Sequence, residues 1–84
     1  MDLIKLHKIK EFALEQMDKW GIDDWKFVWD TRAVRRYGQC RYSKKEIGIT
    51  KVLANLNTIE ETKDVVLHEI AHALTGPGHG HDHV

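Results

Sequence analysis

The stretch from Thr58 to Leu74 reads as a helix with both ends marked, and nothing else in the chain restricts the fold as tightly. Thr58 and Glu61, three residues apart, form a capping box, in which a hydroxyl and a carboxylate each satisfy an amide that the first turn would leave orphaned. Gly76 followed by Pro77 is the expected stop. Val65, Val66, Ile70, Ala73 and Leu74 supply apolar flanks, so the helix is expected to pack in the core. Well inside it lies His68-Glu69-Ile70-Ala71-His72, an H-E-x-x-H.

Residues four apart on a helix are about 6 Å apart along the axis and roughly 40° apart around it, so two imidazoles can converge on one ion from successive turns. His68 and His72 are spaced for that role. Glu69, one step round from His68, can reach a water near the ion but is poorly aimed to be a third ligand, which is the geometry of a metalloprotease general base. With six His and six Glu in 84 residues, chance alone would write this motif roughly 3% of the time. The helix signals around it and the histidines that follow it therefore matter. His79, His81 and His83 lie on a Gly-rich loop that can turn back, and a zinc site open to chemistry needs three protein ligands. The bland alternative is a surface histidine pair followed by an exposed polar tail.

Eighty-four residues bound the rest to one domain, residues 1–84, with a modest core. No apolar run approaches a membrane span, and no secretory signal is visible at Met1-Asp2-Leu3. Cys40 is the single cysteine, so no internal disulfide is available and a cytoplasmic location is the expectation. In a strand, such a cysteine reads as a small buried residue rather than a ligand. The formal charge is zero, yet Arg32, Arg35, Arg36, Arg41, Lys44 and Lys45 follow one another without an intervening acid. That run reads either as a solvated sheet face or as a nucleic-acid contact.

Upstream, Leu6, Ile9, Ala13, Met17 and Trp20 recur at helical spacing behind Asp2 as a candidate cap, and the helix ends at Gly21. His7, flanked by lysines, reads as exposed. Trp25, Phe27 and Trp29 alternate as a first strand with an aromatic face, and the three tryptophans read as core packing. Gly38, Cys40 and Tyr42 alternate as a second strand. After a turn at Ser43-Lys44-Lys45, Ile47 and Ile49 mark a third, antiparallel to the second. Thr50 can cap a short helical piece through Val52, Leu53 and Leu56, broken by Asn55 to Asn57. The expected fold is α+β: an N-terminal helix, a small antiparallel three-stranded sheet and the H-E-x-x-H helix, the layout of a minimal zincin.

With these residues laid out, the chain resembles the SprT-like metallopeptidase domain, the family that includes the DNA-dependent protease Spartan. The resemblance runs from Leu6 to Val84. It rests on the N-terminal helix, the strand Trp25-Lys26-Phe27, the segment Arg36-Tyr37-Gly38-Gln39-Cys40-Arg41-Tyr42, the pair of residues ending Ile47-Gly48-Ile49-Thr50, and the H-E-x-x-H in the place of the family's zinc helix. The resemblance implies a Zn²⁺-dependent peptidase with Glu69 as catalytic base, His68 and His72 as ligands, and a third histidine from the following loop. In the family that histidine opens a His-Gly-x-x-aromatic segment. His79-Gly80 copies the His-Gly pair, but His81 leaves the aromatic position just past Val84, so His81 is preferred, then His79, then His83. Relative to that pattern the chain stops early, before a further helix, and is expected to be truncated at its C-terminus. A catalytically silent zinc-binding interaction or regulatory module, closed by His68, His72, His79 and His81, is the alternative. The resemblance also implies protein substrates associated with DNA.

Overall fold

The computed structural model describes residues 3–31 and 36–76. Helix α1 spans Leu3–Lys19, and Leu6, Ile9, Ala13 and Met17 are its buried stripe, as their spacing requires. Its end is a Schellman motif: Ile22 N–H donates to Met17 O at 2.9 Å and Gly21 N–H to Asp18 O at 3.2 Å, with Gly21 at φ +77°. The motif folds Ile22 back onto the core beside Met17. Trp20 departs from the expected stripe. It lies past the last helical residue, where the period no longer governs direction, and is 51% exposed, with the Lys19 ammonium 5.5 Å from its ring centroid. Asp2, the candidate cap, lies outside the described residues. His7 is on the surface, 3.3 Å from Glu11.

Three strands follow: β1 (Lys26–Asp30), β2 (Gly38–Arg41) and β3 (Glu46–Thr50). They assemble in the order β1-β3-β2. The sheet is mixed, not antiparallel throughout. β2 and β3 form the expected antiparallel hairpin, Cys40 facing Ile47, but β1 pairs parallel to β3, Phe27 facing Ile47. The cause is the position of β3. The connection after β1 carries the chain past one strand position, and the hairpin then returns β3 into the gap, pointing the same way as β1. β3 is accordingly covered on both sides. Ile47 and Ile49 are buried in the core, while on the opposite face Gly48 leaves room for two charged side chains to cross. There Arg41 donates to Asp30 Oδ1 at 2.6 Å and Gln39 Oε1 at 2.9 Å, and lies 3.4 Å from Glu46 Oε1. A Cβ on Gly48 would come within 2.5 Å of Asp30 Oδ2.

Thr50 leads into α2 (Lys51–Leu56) but makes no side-chain cap. Its hydroxyl donates instead to Arg36 O, and its N–H donates to Tyr37 O at 2.8 Å. These bonds fix the chain just before β2. Helix α3 (Ile59–Thr75) starts with the expected capping box, Glu61 N–H donating to Thr58 Oγ1 at 3.1 Å and Thr58 N–H to Glu61 Oε1 at 2.9 Å. The Thr58 N–H, with the Thr58 hydroxyl donating to the same Glu61 Oε1 at 3.1 Å, holds the Glu61 carboxyl below its usual range. Thr62, Val66 and Ile70 face the core, with Ala73 packed at its margin. Leu74 turns away from the core and is 47% exposed, because its place on the helix is about 100° from that of Ala73. Among the described residues no helix is long and apolar enough to cross a membrane.

Candidate metal centre and its cleft

Helix α3 presents two adjoining faces. The core face carries Val66 and Ile70, and the neighbouring face carries Val65, His68, Glu69 and His72 toward a cleft of about 730 Å³. The facing wall comes from β2 and the residues at its ends: Arg36, Tyr37, Gly38, Cys40 and Tyr42. Gly38, Cys40 and Tyr42 share one side of the strand because side chains alternate, and that side is turned to α3. The two elements approach so closely at Gly38 that a Cβ there would lie 2.7 Å from Val65 Cγ1 and 2.8 Å from Glu69 Cγ.

The imidazoles converge. His68 Nε2 and His72 Nε2 are 3.0 Å apart, with the rings crossing at 89°. Two nitrogens on a tetrahedral ion at Zn–N distances of about 2.0–2.1 Å would be roughly 3.3 Å apart, so the pair fits a metal after a small adjustment. Without one, a ring N–H of either histidine can bond to the other ring. Among the described residues no third His, Cys, Asp or Glu joins them as a ligand cluster. His79, His81 and His83, the candidates for the third position, lie outside the described residues.

Glu69 is 8% exposed and makes no hydrogen bond to another described side chain. Burial pushes its carboxyl up, against smaller opposing effects of His68 and Arg36. It is a largely buried carboxyl on the cleft wall beside the two imidazoles, with no hydrogen-bonded ion-pair partner among the described residues. Such a group can accept and hold a proton.

Several cleft residues were not singled out for this role by motif reasoning. Tyr42 donates to His72 O at 2.7 Å, and burial raises its phenol, with Cys40 and Glu69 adding to the effect. Cys40 is half-buried rather than buried, because its side of the strand faces the cleft, and burial pushes its thiol up. Strand alternation was the signal for both, since it places them on the side of Gly38. Asp64 lines the cleft one turn before His68. The described residues of the basic run are differently engaged. Arg36 lines the cleft, Arg41 is held by Asp30 and Glu46, and Lys45 pairs with Asp24 at 2.9 Å. Lys44 is exposed, and Arg32 and Arg35 lie outside the described residues.

Fold and cleft define a class: a small α+β domain in which an edge strand lies along a helix bearing H-E-x-x-H, with two imidazoles and a shielded carboxylate facing one opening. The chain belongs to the SprT-like family, whose profile matches residues 6–84. Comparison with curated proteins and with solved structures found no match.

Proposed function

We propose that the chain is a zinc-dependent metallopeptidase domain, with His68, His72 and a tail histidine, His81 first, as ligands and Glu69 as general base. The observation that carries this reading is the position of Glu69, shielded on the wall of an open cleft beside two converging imidazoles. Family membership supports it. When bound, the ion supplies a Lewis acid that polarises a carbonyl and acidifies water.

The side chains do the rest. His68 and His72 would hold the ion through Nε2 as neutral imidazoles, and the helix sets their spacing. Glu69 takes the proton of the water that attacks a peptide carbonyl and passes it to the departing amine. Protein or peptide is the substrate class. Substrates associated with DNA are the finer proposal, supported by the family resemblance and by Arg36 on the cleft; Arg41 is already engaged with Asp30.

The test is Glu69→Gln, assayed with casein in the presence and absence of DNA alongside zinc analysis of the untagged protein. The expected result is full zinc content with hydrolysis reduced at least about a hundredfold. Undiminished cleavage would refute the base assignment. Zinc binding without cleavage by the parent chain would instead favour the silent metal-binding module.

A further inference from the structure

Two tyrosines bracket β2, and each reaches α3 from a different end. Tyr37, just before the strand, lies with its hydroxyl 2.5 Å from Thr62 Oγ1. Thr62 Oγ1 donates in turn to Thr58 O at 3.1 Å, which leaves Tyr37 as donor to Thr62. Tyr42, just after the strand, donates to the main-chain carbonyl of His72 at 2.7 Å. The spans match. Thr62 to His72 is ten residues of helix, about 15 Å at 1.5 Å per residue. Tyr37 to Tyr42 is five residues of extended chain, about 16 Å at 3.3 Å per residue. Strand and helix are thus pinned at equal intervals, with Gly38 permitting their close approach between the pins.

The pin at Tyr42 is itself well held. Its ring stands edge-on to Trp25 at 6.0 Å and 86°. Its carbonyl accepts from Lys45 N–H at 3.2 Å, and Lys45 O accepts from Lys26 N–H at 2.8 Å. Tyr42 is therefore tied to β1 through the turn as well as to β2. At the other end of its bond, His72 O also accepts from Gly76 N–H at 3.0 Å and from Thr75 Oγ1 at 3.1 Å. Three donors gather on the carbonyl of a residue proposed as a metal ligand, at the turn from which the histidine tail departs.

We propose that Tyr42 is a positioning residue of the metal centre: its hydroxyl, bonded to His72 O, sets the last turns of α3 against β2 and so the placing of the second imidazole. The inference rests on the metallopeptidase reading, in that His72 must bind the ion. Without the hydroxyl, the end of α3 loses this tie to the sheet, and His72 can shift relative to His68. Tyr37 secures the opposite end of the helix and has no such effect on His72.

The test compares Tyr42→Phe with Tyr37→Phe, each deleting one hydroxyl and leaving the ring. Zn²⁺ affinity is measured by chelator competition and Co²⁺ coordination by its absorption spectrum, with the melting temperature of each metal-free variant as the control for folding. Both variants are expected to melt lower than the parent. Tyr42→Phe alone should bind Zn²⁺ at least about tenfold more weakly, in the range seen when supports around metal ligands are removed, and should alter the Co²⁺ spectrum. Equal affinities and spectra in Tyr42→Phe and the parent would overturn the proposal, as would an equal loss in Tyr37→Phe. A parent chain that binds no Zn²⁺ would overturn the metallopeptidase reading and this inference with it, whereas a zinc-binding parent with an unaffected Tyr42→Phe overturns this inference alone.

Discussion

Replacing Gly38 with alanine adds one methyl group at the closest approach between β2 and α3. The new Cβ would meet Val65 Cγ1 at 2.7 Å, Glu69 Cγ at 2.8 Å and Glu69 Oε2 at 3.0 Å. Carbon atoms pack comfortably at about 3.5–4.0 Å, so roughly 1 Å must be recovered. Val65 cannot easily supply it, because a β-branched side chain within a helix is held to one χ1 rotamer. Glu69 or the backbone must move. Overpacking of this kind costs about 1–3 kcal/mol. At about 4–8 °C per kcal/mol for a domain of this size, the melting temperature should fall by roughly 4–24 °C. Activity should suffer separately, since a catalytic group displaced by about 1 Å can lose on the order of a hundredfold in turnover. The assay is thermal melting of the metal-free variant together with peptidase rate below its melting range. Gly21→Ala is the control: φ there is +77°, a Cβ meets nothing within 4 Å and Gly21 does not line the cleft, so it strains the backbone elsewhere and should lower stability without lowering the rate of the folded protein. A Gly38→Ala protein that melts and cleaves like the parent would refute the packing of β2 against Glu69.

Two further predictions concern the metal and the proton. His72→Ala should release the ion, so chelator treatment should lower the melting temperature of the parent and leave that of the variant unchanged, because binding is linked to folding; a parent unaffected by chelator would remove the link. For metal-free protein, burial places the folded Glu69 carboxyl above its ordinary value of 4.5, so the folded state binds more protons than the unfolded one. Stability should therefore fall as pH rises from about 4.5 through the folded value, and the penalty should vanish below that range. Melting curves of the parent and Glu69→Gln across pH should diverge on the alkaline side, the parent being the lower, and parallel curves throughout would contradict the burial of this carboxylate.

Legibility followed distance along the chain. The capping box at Thr58 and Glu61, the stop at Gly76 and the turn at Gly21 involve atoms within one helical turn, and each forms as its residue types require. Thr50 shows the limit. Its type suits a cap, but Arg36 O, fourteen residues back, takes the hydroxyl, and no local pattern announces that competitor. Arg41 likewise read as part of a basic run until the fold set Asp30 2.6 Å away.

The sequence by itself determined that His68 and His72 stand one turn apart on a continuous helix, with Glu69 between them, because a helix of fixed rise converts spacing directly into direction. It also determined the alternation that puts Gly38, Cys40 and Tyr42 on one side of β2. Only the tertiary structure decided that β3 lies between β1 and β2, that the sheet is mixed, and that the side of β2 bearing Tyr42 faces Glu69 and His72. Strand order and helix docking depend on contacts between residues far apart in the chain, whose burial is shared among several elements, so no one stretch of sequence specifies them.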